Sequence, residues 1–273
     1  MPEETAQTTY VLSADAAEFY QSTFVPALFD GWARHLVDKV GVGPGQSVLD
    51  VACGTGVVAA AAADRAGAFG AIVGLDLNEA MLAIARRLRP DLRWQRGDAC
   101  ALPFDDGSFD LVLSQAGLMF FTDRVAALRE MGRVAGADGR VAVQVPGRLA
   151  ASPGYLALAE VVGRHGEQDA LVLLEAYFAV GEPELLTALF RAAGLRINRF
   201  ETWLGATRLD SVGTFVAVEL LPMLDKVDPA TRERIVEDCH SALAPFVDPA
   251  GAVAAPIEVH LVTASQGPTD GTS

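Results

Sequence analysis

Short apolar runs alternate with amphipathic stretches along this chain. Between Ala16 and Val40, apolar residues recur at spacings of three and four, which predicts one or two amphipathic helices before the first strand. Residues 47–52 form a short apolar run that ends in a glycine-rich turn, and the alanine-rich residues 57–65 follow as a helix. The chain therefore enters its core as strand, turn and helix.

The same unit recurs without sequence repetition. Further strands are predicted at residues 71–75, 92–95, 110–114 and 139–145, and further helices at residues 78–89 and 123–134. Asn78 and Asp123 are suitable N-caps for these two helices. Strands that alternate with helices at this rhythm predict parallel crossovers, and hence an α/β fold with a doubly wound sheet.

The pattern changes after Pro146. Residues 153–179 and 183–193 predict helices, residues 195–207 alternate like a strand, residues 210–243 are again helical, and residues 257–263 predict a last strand. We expect a single domain over residues 1–273. Its predicted parts are a helical lid (1–40), a core (41–147), a helical cap (148–181), core again (182–208), a helical insertion (209–250), the last strand (251–264) and a disordered tail (265–273).

Composition narrows the class of protein. A hydrophobic fraction of 51% supports a well-buried core, and a formal net charge of -14 without Lys/Arg clusters argues against nucleic-acid binding. The widely spaced Cys53, Cys100 and Cys239 predict neither a disulfide framework nor a zinc site, and no other metal site is expected. The polar start and the lack of an apolar run of about 18 residues predict a cytoplasmic protein without membrane contact.

A ligand-binding turn is predicted after the first strand. Asp50 lies at the strand end, and Gly54 and Gly56 follow where the backbone must turn sharply into a helix. Ligands of open α/β sheets bind beyond the carboxyl ends of the strands, at the topological switch point. The position favours a nucleotide-like ligand.

The turn by itself is compatible with a second class of protein. Gly54, Gly56 and Ala59 satisfy the dinucleotide fingerprint, and Asp76 follows at the distance expected of a ribose-binding acid. A carboxylate at Asp50 suits a ligand that carries an ammonium group, however, and would repel a pyrophosphate. Asp98 adds a third acid at a third strand end, which a nicotinamide fingerprint does not require.

These motifs, over residues 41–145, resemble those of class I S-adenosylmethionine-dependent methyltransferases, especially the branch similar to ubiquinone and menaquinone C-methyltransferases (methyltransferase type 11). The resemblance implies a Rossmann-like sheet of seven strands with the last antiparallel, and S-adenosylmethionine as the cofactor. It implies that Asp50 and residues 54–56 surround the methionine part, that Asp76 holds the ribose hydroxyls, and that Asp98 accepts from the adenine amino group. The implied cofactor-binding residues are Tyr20, Phe24, Asp50, Ala52, Gly54, Gly56, Asp76, Leu77, Met81, Asp98, Ala99 and Gln115. One departure is Ala52, where the family often has glycine.

The expected activity is transfer of a methyl group to a small-molecule acceptor, quinone-like or a secondary metabolite, by in-line displacement in a site that supplies orientation and excludes water. A nicotinamide-dependent oxidoreductase and a cofactor-binding protein without transfer activity are the alternatives. His165 and His240, in the predicted cap and insertion, are the candidates for a general base. The apolar residues Val216, Leu220 and Leu221 could belong to a lid or an interface, and we expect a homodimer.

Overall fold

A computed structural model describes residues 13–220, 224 and 226–267. The strands are β1 (Ser47–Val51), β2 (Ala71–Asp76), β3 (Arg93–Arg96), β4 (Leu111–Gln115), β5 (Arg140–Pro146), β6 (Leu195–Leu209) and β7 (Val253–Gln266). They form a seven-stranded sheet in the order β3-β2-β1-β4-β5-β7-β6. β1 to β5 pair in parallel, and β7 runs antiparallel to both β5 and β6. The predicted α/β fold with an antiparallel last strand is therefore confirmed.

Ten α-helices lie within the described residues. They are α1 (Ala14–Phe19), α2 (Asp30–Val40), α3 (Val57–Ala66), α4 (Glu79–Leu88), α5 (Arg124–Ala135), α6 (Pro153–Arg164), α7 (Val172–Tyr177), α8 (Pro183–Ala192), α9 (Val212–Glu219) and α10 (Pro229–Leu243). The side chains of Asn78 and Asp123 accept backbone N–H groups at the starts of α4 and α5, as N-caps do. None of the helices described is both long and apolar enough to cross a membrane.

A π-helical segment, Tyr20–Phe29, joins α1 to α2 without a break. It contains Pro26, which cannot donate a backbone hydrogen bond, and such wide turns occur frequently at functional sites. The ring of Tyr20 stacks on those of Phe24 and Phe29, with centroids 6.0 and 5.4 Å apart. The segment thus presents a row of aromatic side chains at the edge of the core.

The sheet is buried on both faces. Leu49 and Val51 of β1 pack in a cluster with side chains of α5 and α8, whereas the alternate residue Val48 packs with side chains of α2 and α3. This alternation follows from the two-residue repeat of a strand. Helices on both faces explain why the parallel strands are continuous apolar runs in the sequence.

A further apolar cluster lies beyond the sheet. Side chains of α6, α9 and α10 pack there against the first half of β7, with Tyr155, Phe215 and Ile235 among the fully buried residues. Val216 and Leu220 are also buried in this cluster, so their apolar character is explained within the chain, and Leu221 lies outside the described residues. The homodimer stays a prediction.

β7 is longer than its sequence pattern indicates. It begins at Val253, because Ala254, Ala255 and Pro256 pair with β6 although alanine and proline are poor strand formers. Pro256 lies beyond the stretch that pairs with β5, where its missing N–H removes no bond to that strand. At the other end, Ser265 and Gln266, which the sequence assigned to a disordered tail, are the last residues of the strand.

Candidate active site

The turn after β1 adopts the left-handed backbone that its glycines permit. Gly54 has a φ of 55° and Gly56 a φ of 90°, and Ala52 shares this region with a φ of 58°. A non-glycine residue there is strained by contact between its Cβ and the backbone, which gives a physical reason for glycine at this position in related turns. A Cβ on Gly56 would also come within 2.3 Å of the Trp94 ring. The left-handed backbone therefore favours glycine at both Gly54 and Gly56, and the Trp94 ring also leaves no room for a side chain at Gly56.

Asp76 ends β2 with its carboxylate held by backbone groups. Its Oδ2 accepts the N–H of Gly54 at 2.8 Å and its Oδ1 accepts the N–H of Asn78 at 2.8 Å. Burial raises the pKa of this carboxyl, and the bonds from Asn78, Gly54 and Leu77 oppose the rise. The carboxylate is consequently oriented before any ligand arrives, with lone pairs available for further donors.

Asp50 lies at the carboxyl end of β1, as predicted, and its carboxylate bonds to the chain. It is fully buried, its Oδ2 accepts the N–H of Ala59 in α3 at 2.9 Å, and it does not line the cavity described below. Burial raises the pKa of Asp50 to about 8, against the effect of the Ala59 bond. Its visible role is to fix the start of α3 beneath the turn.

A cavity of about 460 Å³ opens at the carboxyl ends of β1, β2, β3 and β4, within the usual size range of small-molecule sites. Of the predicted cofactor residues, Asp50 and Gly56 lie outside its wall. Those that line it are Tyr20, Phe24, Ala52, Gly54, Asp76, Leu77, Met81, Asp98, Ala99 and Gln115. The structure thus brings together residues from the leading helices, the turn and three later strand ends.

The side chains of Asp98 and Gln115 form hydrogen bonds within the chain. Asp98 accepts the N–H of Cys100 at 2.8 Å through one carboxylate oxygen. Gln115 donates to the carbonyl of Phe29 and accepts from Gln144, both at 3.1 Å. Gln115 therefore ties the sheet to the leading helices, while the exposed Asp98 retains acceptor capacity for a ligand.

The predicted base candidates lie elsewhere. His165 Nε2 is 2.8 Å from Asp238 on α10, and His240 lines a separate surface depression beside Val236 and Glu237. Neither histidine belongs to the wall of the 460 Å³ cavity. The structure does not bring them to the acids and aromatic residues at the strand ends.

Sequence analysis missed two polar residues that line this cavity. Tyr155 of α6 and Glu219 of α9 meet in its wall, where the tyrosine hydroxyl donates to Glu219 Oε1 at 2.9 Å. They are 64 residues apart in the chain, so no spacing rule joins them. The sequence does mark Glu219 as unusual, because it is the one charged residue in the apolar run of residues 215–221.

Residues 49–143, from β1 into β5, match the family described as "Methyltransferase domain". This segment of the chain is similar to a methyltransferase domain. The matched segment contains the turn, Asp76 and Asp98, and excludes the leading helices and the cap.

Curated relatives match part of the chain. A demethylmenaquinone methyltransferase of Renibacterium salmoninarum is 46% identical over 112 residues, which are 41% of this chain and 46% of the relative. A ubiquinone/menaquinone biosynthesis C-methyltransferase of Idiomarina loihiensis is 42% identical over 118 residues, which are 41% of this chain and 47% of the relative. This chain therefore spans about half the length of the curated relatives it matches.

The whole fold also has solved counterparts. The YcgJ protein of Bacillus subtilis aligns with a TM-score of 0.59 over 87% of this chain and 99% of its own, at 18% identity. At this identity the likeness concerns the fold alone. It extends beyond the segment that the family matches, so the later strands follow the same architecture.

Proposed function

We propose that the protein is an S-adenosylmethionine-dependent methyltransferase with a small quinone-like acceptor. The proposal is supported by the methyltransferase domain and by one decisive observation on the cavity. Its described lining contains the carboxylates Asp76, Asp98 and Glu219 and no lysine, arginine or histidine. An acidic cavity favours a cationic ligand and opposes a pyrophosphate.

This charge pattern separates the two cofactor classes. S-adenosylmethionine carries a sulfonium and an ammonium group, whereas a nicotinamide dinucleotide brings a pyrophosphate that would face the carboxylates unpaired. When bound, S-adenosylmethionine supplies an electrophilic methyl group. The chain's own contribution is orientation and the exclusion of water, which the apolar side chains of the cavity wall provide.

Individual residues have distinct roles in the proposal. Asp76, oriented by two backbone N–H groups, accepts the ribose hydroxyls, and Asp98 accepts the adenine amino group. Leu77, Met81 and Ala99 flank the adenine ring from the same wall. Asp50 acts through the turn, by holding α3 in place, and it does not touch the ligand directly.

The acceptor is assigned from the relatives and from the far wall of the cavity. The Renibacterium relative is named for demethylmenaquinone, a quinone. Phe120, Phe121, Leu174 and Tyr177 give the part of the wall nearest the cap an aromatic and aliphatic character. Such a surface suits a flat, apolar ring system better than a charged or strongly polar acceptor.

Isothermal titration calorimetry tests the cofactor assignment without knowledge of the acceptor. The purified protein is titrated in parallel with S-adenosylmethionine, S-adenosylhomocysteine and NADH. Binding of the two adenosyl ligands and not of NADH is expected. Binding of NADH alone would replace the proposal by an oxidoreductase. If the adenosyl ligands bind, transfer of a labelled methyl group to a demethylmenaquinone analogue then separates an active enzyme from a protein that only binds the cofactor.

A further inference from the structure

A buried carboxylate from the helical insertion reaches the wall of the cavity. Glu219 is the last residue of α9, and it is 8% exposed. Tyr155 of α6 donates its hydroxyl to Glu219 Oε1 at 2.9 Å, and the same hydroxyl lies 2.6 Å from Thr207 Oγ1 of β6. Tyr155 and Thr207 are almost completely buried. Three elements therefore cooperate to fix one carboxylate.

The charge of Glu219 has no counter-ion in the described cavity wall. The other titratable side chains there are those of Tyr20, Asp76, Asp98, Tyr155 and Tyr177, none of which is a cation. Burial raises the pKa of Glu219 to about 7, and the bond from Tyr155 opposes the rise. The C-terminal end of a helix also disfavours negative charge. Glu219 is thus poised between its two protonation states near neutral pH.

A purely structural role explains this arrangement poorly. Burial of a carboxylate without a counter-ion costs several kcal/mol, whereas glutamine in the same place would still accept the Tyr155 hydrogen bond at no such cost. Perturbed carboxyl groups in cavity walls are candidates for proton transfer. One bond from Tyr155 also leaves the carboxylate with acceptor capacity, since it has about four lone-pair sites.

We propose that Glu219 binds the hydroxyl group of the acceptor and takes its proton, and that Tyr155 positions the carboxylate for this step. This inference rests on the proposed function and specifies its substrate class. The acceptor is a hydroxyarene, such as the reduced hydroquinone form of a quinone. His165 and His240, which lie outside the cavity wall, are replaced in this role by Glu219.

The proton transfer balances within the acceptor and Glu219. The acceptor O–H bond breaks, an O–H bond forms on Glu219, and the electron pair stays on the acceptor as a phenolate. This anion is the nucleophile, through its oxygen or through the ring carbon that shares its charge. In the second case the hydrogen on that carbon moves to the oxygen by tautomerisation, which restores the aromatic ring and the hydroxyl. The proton leaves Glu219 for solvent when the product departs.

The test measures binding of a probe and needs no turnover. 1-Naphthol is titrated into the protein between pH 5.5 and 8.5, and binding is followed by fluorescence. 1-Methoxynaphthalene is the matched ligand that lacks a hydroxyl donor. In the wild type we expect the affinity for 1-naphthol to rise as Glu219 ionises near pH 7. The affinity for 1-methoxynaphthalene should not follow this curve.

Three variants carry the test. Glu219→Gln should bind 1-naphthol about tenfold more weakly at pH 8 and without pH dependence, because a charge-assisted bond becomes a neutral one. Tyr155→Phe should move the midpoint of the curve to higher pH, because the bond from Tyr155 lowers the pKa of Glu219. Glu160→Gln, on the exposed surface of α6, is the matched control and should behave as the wild type.

Each outcome separates this inference from the proposed function. If S-adenosylmethionine binds and Glu219→Gln retains the affinity and pH dependence of the wild type for 1-naphthol, the role of Glu219 is refuted and the methyltransferase proposal stands. If S-adenosylmethionine does not bind to the wild type, the proposed function fails independently of Glu219. Should Glu219→Gln not fold, the midpoint in Tyr155→Phe decides, and an unchanged midpoint overturns the proposal.

Discussion

Substitution of Asp76 by alanine perturbs the cofactor site at one defined group. In the structure both carboxylate oxygens accept a backbone N–H at 2.8 Å, from Gly54 and from Asn78. Removal of the carboxylate therefore has two consequences. In the proposed site the two ribose hydroxyls lose a charged acceptor, and the two backbone donors lose their partner.

The size of the effect follows from these bonds. A hydrogen bond to a charged group contributes about 1.5–3 kcal/mol, so the loss of two such bonds sets the upper limit of the effect on cofactor binding. Water in the vacated space recovers part of this loss. We expect a loss of about 3 kcal/mol in cofactor binding, or roughly 150-fold in Kd. The freed N–H groups should lower the free energy of unfolding by about 1–2 kcal/mol.

Asparagine should not rescue the site. An amide presents one oxygen and one NH₂ group, whereas the structure places a backbone donor opposite each carboxylate oxygen of Asp76. In either orientation of the amide, its NH₂ group faces a backbone N–H, so two donors oppose each other. Asp76→Asn is therefore expected to bind S-adenosylmethionine nearly as weakly as Asp76→Ala.

Calorimetric titration with S-adenosylmethionine measures both variants, and thermal denaturation verifies that each is folded at the working temperature. Asp105→Ala, an exposed carboxylate outside the cavity wall, is the control and should keep the wild-type Kd. A folded Asp76→Ala protein with unchanged Kd would show that the ribose is not bound by Asp76, and would remove the central contact of the proposed site.

Three further predictions concern the turn, the histidines and Glu219 of the helical insertion. Ala52→Gly should raise the free energy of unfolding by about 0.5 kcal/mol in chemical denaturation, since relief of left-handed strain exceeds the entropy cost of glycine; Ala63→Gly within α3 should lower it by about 1 kcal/mol. His165→Ala and His240→Ala should leave turnover and cofactor Kd unchanged, and a loss in both would restore a histidine to the mechanism. The pKa of Glu219 is about 7 in the folded protein and 4.5 in the unfolded chain, so the folded state binds the proton more tightly. The contribution of Glu219 to the free energy of unfolding should therefore fall by roughly 3 kcal/mol as the pH rises from 4.5 to 7. In urea titrations over this range, the free energy of unfolding of Glu219→Gln should fall by about that much less than that of the wild type.

The core of the fold could be predicted because its signals are local. The apolar runs of β1 and β2 and the caps Asn78 and Asp123 lie within a few residues of the features that they specify. Asp76 could be placed in the site for the same reason, since a residue at the end of a parallel strand lies at the ligand-binding edge. Gly54 could be placed there because the turn after a strand needs its backbone conformation.

The contact between the cap and the helical insertion could not be predicted in the same way. Tyr155 and Glu219 come from helices that meet through packing of α6, α9 and α10, a tertiary contact that no short-range pattern encodes. Asp50 was placed correctly at the end of a strand, but its bond to the next helix was not predicted. A carboxylate at a strand end can contact the ligand or cap the helix that follows. In this chain Asp50 accepts the N–H of Ala59 and so caps α3.

Strain in this protein is found where the ligand is expected. Ala52 and Ala116, with φ of 58° and 53°, are the non-glycine residues with positive φ among those described, and both line the cavity at the ends of neighbouring strands. A Cβ on Gly117 would come within 2.8 Å of the Ala52 Cβ, so the two strand ends approach as closely as their side chains allow. Each left-handed alanine costs about 1–2 kcal/mol, which the surrounding core must offset. A chain selected for stability alone would relieve this cost with glycine at position 52. Its retention is consistent with a turn that must be stiff, because a rigid backbone holds Gly54 against Asp76 and keeps the carboxylate aligned before the cofactor binds.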